Sequence, residues 1–158
     1  MGAMRFVVAT KHFSGLGFAM RLLDEGHDVV VAYDDIDDRR LAPRHALLGK
    51  GLLDRRPIAD VMRDRERFRD AYWVWDENHS VDANELLRRE GFKVLGGGKY
   101  PDTMEHDREA CLSFVAEYGL VPPPSHAFTD PAAALALLEE HPDTAFVYNP
   151  DYGETFET

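Results

Sequence analysis

Arg5-Phe-Val-Val-Ala-Thr10, Lys11-His-Phe-Ser-Gly15, Leu16-Gly-Phe-Ala-Met-Arg-Leu-Leu-Asp-Glu-Gly26 and Asp28-Val-Val-Val-Ala-Tyr33 follow one another with only His27 interposed. The first and last stretches are short, apolar and β-branched without polar alternation, the pattern of strands buried on both faces. Between them Leu16, Ala19, Met20, Leu22 and Leu23 recur at helical spacing, and Gly26 stops the helix. Strand, glycine turn, helix and strand within about 30 residues make one βαβ unit. Its parallel strands require a right-handed crossover.

The rest of the chain extends this alternation. Asp34 to Leu53 reads as a long loop, and Pro57 to Phe68 as a helix with proline in its first turn. Tyr72-Trp-Val-Trp75 is a third strand; Ser80 is the expected N-cap of a helix that ends at Gly91. Phe92-Lys-Val-Leu95 is a fourth strand, closed by Gly96-Gly97-Gly98. Asp102-Thr-Met-Glu105 has capping-box spacing and opens a helix on which Cys111, Phe114, Val115 and Tyr118 share a face, with Cys111 expected in a core. Asp130-Pro131 starts a further helix that runs to Glu140, and Ala145-Phe-Val-Tyr148 starts another strand. The pattern predicts an α/β fold, a Rossmann-like open parallel sheet with helices on both faces.

Composition bounds the function. The chain has 158 residues, 44% hydrophobic and 11% aromatic, enough to bury a core and unlike a disordered chain. No apolar run approaches the roughly 20 residues of a membrane helix, and no secretory signal pattern is present. With a single cysteine, neither an internal disulfide nor a cysteine-based zinc site can form, which fits a reducing, cytoplasmic compartment. The seven histidines show no H-x-x-x-H spacing, so no metal site is expected. The net charge of −11 is concentrated: residues 1–100 carry 17 basic and 17 acidic side chains, whereas 101–158 carry Arg108 against 12 acids. That distribution argues against nucleic-acid and anionic-membrane partners, which need clustered Lys and Arg. It also divides the chain into domains at 1–100 and 101–158.

In open parallel sheets, ligands sit beyond the carboxyl ends of the strands. The candidate loops are therefore 10–17, 33–38 and 76–80. Ser14-Gly15-Leu-Gly17 stands between a strand and a helix, where backbone amides and the helix dipole can hold an anion; a purely steric turn is the alternative. Asp34 and Asp35 follow the second strand, where a dinucleotide-binding fold places its ribose-binding acid, and Asp37 and Asp38 extend the cluster. Solvated loop acids are the competing reading. Asp76-Glu77-Asn78-His79-Ser80 is the densest set of hydrogen-bonding side chains and suits substrate recognition, unless it is only a capped loop. Adjacent residues on one loop cannot form a Ser-His-Asp triad, and no catalytic residue is assigned.

Several segments in order carry a resemblance: Gly91-Phe-Lys-Val-Leu-Gly96, Glu105-His-Asp-Arg108, Phe114-Val-Ala-Glu-Tyr-Gly-Leu-Val-Pro-Pro123, Phe128-Thr-Asp-Pro-Ala-Ala133 and Phe146-Val-Tyr-Asn-Pro-Asp151. This order resembles the ATP-grasp ligases, most closely the phosphoribosylamine-glycine ligase family of purine biosynthesis. The resemblance implies a Rossmann-like pre-ATP-grasp domain over 1–100. Residues 101–158 would then form a linker helix and the start of a small α+β nucleotide-binding lobe. It implies a carboxylate–amine ligation through an acyl phosphate, with ATP and Mg2+ as cofactors of the complete enzyme and none for this chain alone. Ser14, Gly15 and Gly17 would then seat the anionic part of a phosphorylated small-molecule substrate, with Glu77, Asn78 and His79 orienting it. Arg108 and Asn149 stand where the family places nucleotide-contacting lysines and would border ATP. A C-terminal ATP-grasp lobe or a second copy of the chain are the partners this implies. The alternatives are a non-catalytic Rossmann-like module that binds a nucleotide or sugar phosphate or docks on a partner, and a Rossmann oxidoreductase domain.

Overall fold

The computed structural model describes residues 2–34, 42–78 and 80–148. They form two compact units, divided after Asp102. The first contains five strands, β1 (Arg5–Thr10), β2 (Asp28–Tyr33), β3 (Asp54–Pro57), β4 (Tyr72–Trp75) and β5 (Lys93–Leu95). All pairings are parallel and the spatial order is β3-β2-β1-β4-β5. The helices are α1 (Leu16–Asp24), α2 (Ala42–His45), α3 (Ile58–Arg63), α4 (Val81–Arg89), α5 (Lys99–His106), α6 (Arg108–Glu117) and α7 (Pro131–Glu140), with a 3-10 turn at Arg65–Phe68.

The period-two alternation of strand side chains assigns the core to two faces. Val8, Val29 and Val31 point to one face, where Ala19 and Leu22 of α1 cover them. Val7, Ala9, Val30, Ala32, Trp73 and Trp75 point to the other and pack against Val61 of α3, Phe68 and Leu87 of α4. Trp73 is fully buried, edge-on to Phe68 and Phe92 with ring centroids 6.3 and 5.9 Å apart, and its indole N–H donates to the Phe68 carbonyl at 3.4 Å. Helices cover both faces, as the uninterrupted apolar strands require.

The sheet edges explain where the sequence misleads. β3 is Asp54-Arg-Arg-Pro57, charged and proline-ended, and lies between the loop expected to Leu53 and the helix expected from Pro57, whose first residue it takes. As an edge strand it needs little apolar character, and its charges and proline disfavour further pairing. The helix expected over 57–68 is instead α3 and the 3-10 turn, broken at Asp64. In the turn, Arg65 donates through Nε and Nη2 to the Glu90 carboxylate at 2.6 and 2.8 Å, tying it to the end of α4. Hydrogen bonding and charge from Arg65 hold the Glu90 carboxyl below its usual range and raise the Arg65 guanidinium. Of the helically spaced apolar residues of α1, Leu16, Ala19 and Leu22 pack on the sheet, whereas Met20 and Leu23 are exposed.

Ser80 occupies the N-cap position of α4 but has φ +52° and makes no side-chain capping bond. Residues 102–105 do not begin a helix: α5 already starts at Lys99, with Pro101 in its first turn, and the Asp102 carboxylate accepts from Asn78 Nδ2 at 3.3 Å. The cap that does form is Asp107, whose carboxylate accepts from Ala110 N–H at 2.9 Å to open α6. Cys111 is only half-buried, and no residue of α6 or α7 is fully buried. Residues 145–148 form no strand, since no described strand pairs with them.

Candidate functional site

β1 and β4 lie side by side, with Ala9 opposite Trp75. The chain leaves β1 toward α1 on one face and β4 toward α4 on the other, so the crevice in which open parallel sheets receive ligands is expected between the two carboxyl ends. Two loops line it, and they are joined. Gly15 N–H donates to Asp76 Oδ2 at 2.6 Å, the Ser14 hydroxyl donates to Glu77 Oε1 at 2.5 Å, and Asp76 N–H donates to the Ala9 carbonyl at 3.2 Å. The Gly15 amide at the amino end of α1, a natural anion position, is thus held by the protein's own carboxylate. Glycine is needed there: a Cβ would lie 2.9 Å from Asp76 Oδ2 and 3.0 Å from Val8 Cγ1.

Beside this joint, Asn78 reaches Asp102, and the turn after β5 is stapled to α4. Asn84 Nδ2 donates to the Gly97 carbonyl at 2.7 Å, Arg88 Nη2 to the Gly96 carbonyl at 2.5 Å, and Lys99 N–H to Glu85 Oε1 at 3.2 Å. Gly96, at φ +145°, allows the turn to approach Trp75, since a Cβ would meet Trp75 Cβ at 2.8 Å. Asp76 Oδ1 and Thr10 Oγ1, at the ends of β4 and β1, are buried and have no hydrogen-bond partner among the described residues. Buried polar atoms are otherwise almost always paired, so unmet ones mark a functional candidate.

The structure thus joins Ser14 and Gly15 to Glu77 and Asp76, while Asn78, two residues on, bonds to Asp102 instead. Gly17 lies in the exposed first turn of α1, where a Cβ would meet nothing within 4 Å. The N–H groups of Gly17 and Phe18 have no backbone acceptor among the described residues. Arg108 belongs to the second unit, where it is exposed at the start of α6 between Asp107 and Glu109. His79 and Asn149 lie outside the described residues, as do Asp35, Asp37 and Asp38.

A cavity of about 530 Å³ went unforeseen; its walls include Phe13, Tyr33, Asp34, His45, Lys50 and Arg55. It could not be located without β3, which supplies Arg55. The available signal was Pro57, which biases the residue before it toward extended backbone and away from a helix. Among the described residues no three His, Cys, Asp or Glu side chains converge as a metal-ligand set. No helix of the described residues is long and apolar enough to cross a membrane.

These features define an α/β protein with an all-parallel five-stranded open sheet and a polar crevice where the strand order reverses. Compared with protein families and with curated proteins, the chain matches none of them.

Proposed function

We propose that the chain is the substrate-binding first domain of an ATP-dependent carboxylate–amine ligase similar to phosphoribosylamine-glycine ligase, with the crevice between β1 and β4 holding the amine substrate. The observation that carries this reading is the convergence of Ser14 and Gly15 with Asp76 and Glu77 at the carboxyl ends of the two adjoining strands. The crevice is rich in acceptors. An ammonium or amine could replace the Ser14 hydroxyl on Glu77, and a charge-assisted bond there is stronger than the neutral one it displaces. The acceptorless amides of Gly17 and Phe18 at the start of α1 would face the phosphate of the same substrate. The Gly15 amide would remain with Asp76.

The described residues do not fit the remaining cofactors. No carboxylate set suits Mg2+, and Arg108 stands between two acids rather than in a cradle for a triphosphate. Phosphoryl transfer needs cations around the transferring group, so groups beyond those described would supply that step. Calorimetric titration with ribose 5-phosphate, with and without ATP, tests the reading. Binding of ribose 5-phosphate, whose anomeric hydroxyl takes the place of the amine on Glu77, that Glu77→Gln weakens and Ser14→Ala does not supports it. Absence of ribose 5-phosphate binding, or binding that Glu77→Gln leaves unchanged, overturns it.

A further inference from the structure

The cavity beside Arg55 lies on the α1 face, between the carboxyl end of β2 and the segment that runs from His45 to β3. Its wall is built around one guanidinium. Arg55 lies over the Phe13 and Tyr33 rings, 4.8 and 5.1 Å from their centroids, and those two rings stack 5.6 Å apart. Both distances are within cation–π range. Arg55 Nη1 and Nη2 donate to the carbonyls of Ala46 and His45 at 3.0 and 3.1 Å, fixing the segment that closes the cavity. Phe13 is held at φ +60°, a costly conformation for an aromatic residue, and its ring is also edge-on to His45 at 5.8 Å.

Two polar atoms of this wall are unmet. Arg55 Nε and His45 Nδ1 are buried without a hydrogen-bond partner among the described residues. Lys50 adds a second cation to the lining, while Asp54 is engaged by Arg56 at 2.7 and 3.1 Å. Asp34, the residue immediately after β2, adds a carboxylate at the position that can accept from vicinal ribose hydroxyls. Aromatic and aliphatic surface, nitrogen donors and one carboxylate acceptor therefore meet in a volume within the range of small-ligand sites.

We infer that this cavity binds a nucleoside monophosphate. The base lies against the apolar wall of Tyr33 and Leu53, the ribose hydroxyls donate to Asp34, and the phosphate is met by Lys50 on the side of the wall formed by Arg55 and His45. A dinucleotide is disfavoured, because a pyrophosphate crossing to the start of α1 would meet the Asp76 carboxylate on the Gly15 amide. The inference does not depend on the ligase reading, since its cavity and side chains differ from those of the crevice.

Titration of the full chain with AMP, adenosine, 2′,3′-dideoxyadenosine and NAD tests it. AMP is expected to bind, with NAD no tighter. Lys50→Ala should weaken AMP about tenfold while leaving adenosine unchanged, as the loss of one charged hydrogen bond predicts. Asp34→Asn should remove the preference for adenosine over the dideoxy compound. Both side chains lie outside the cores, so unchanged melting temperatures are expected for the variants. AMP binding that neither substitution alters, NAD binding tighter than AMP, or no AMP binding at millimolar concentration would each overturn the inference. Ribose 5-phosphate binding sensitive to Glu77→Gln but not to Lys50→Ala belongs to the crevice and leaves the two questions separate.

Discussion

Gly15 has the Asp76 carboxylate on its amide and the Val8 side chain beneath it, leaving no room for a methyl group. Gly15→Ala should therefore push the β1–α1 loop off Asp76 and lower stability by about 1–3 kcal/mol, the usual cost of overpacking. Urea denaturation would measure it, and a neutral result would show that the two loops are not joined as described. Leu87 presents the opposite case, a fully buried side chain that carries α4 onto the sheet. Leu87→Ala should cost about 2–5 kcal/mol through lost burial and the cavity left behind. The same experiment detects it as a shifted midpoint with little change in slope.

Among the elements, the bond between the 3-10 turn and α4 has a definite pH signature. Glu90 is ionised more readily in the folded chain than at its ordinary value of 4.5, because Arg65 hydrogen-bonds the carboxylate. A group whose pKa is depressed by folding contributes its full stabilisation above the unfolded pKa. That contribution disappears as pH falls through the lower folded value. Glu90→Gln is thus expected to melt below the unsubstituted chain at neutral pH, with the difference narrowing below pH 4.5 and closing in stronger acid. Melting curves across that interval check the sign; a difference independent of pH would mean the Arg65 bond contributes nothing through charge. The pair is partly exposed, at 30% and 29% of side-chain surface, so added salt should reduce the difference.

For the whole molecule, the division after Asp102 separates parts of unlike stability. Every fully buried hydrophobic residue among those described belongs to the first unit, and α6 and α7 bury none. Residues 1–102 alone should melt within a few degrees of the full chain, and retain the far-ultraviolet signal of a parallel sheet with helices. A large fall in melting temperature would show that the second unit supports the first. Helices of about ten residues that bury no side chain completely are marginal in water. Amide exchange in α6 and α7 should accordingly be fast, with protection greatest in β1, β2 and β4.

The amino-acid sequence alone determined the central strands, because Arg5–Thr10, Asp28–Tyr33 and Tyr72–Trp75 are apolar runs that only a doubly covered sheet can bury. It also pointed to the loops at 10–17 and 76–80, which the structure ties together through Gly15 to Asp76 and Ser14 to Glu77. Tertiary structure decided the edge of the sheet and the contacts of the loops. An edge strand such as Asp54–Pro57 draws its hydrogen bonds from β2 rather than from burial, so no local pattern announces it. The cavity around Arg55, the carboxylate on Gly15 and the idle cap at Ser80 depend on atoms far apart in the chain, whose distances are fixed only when the sheet closes.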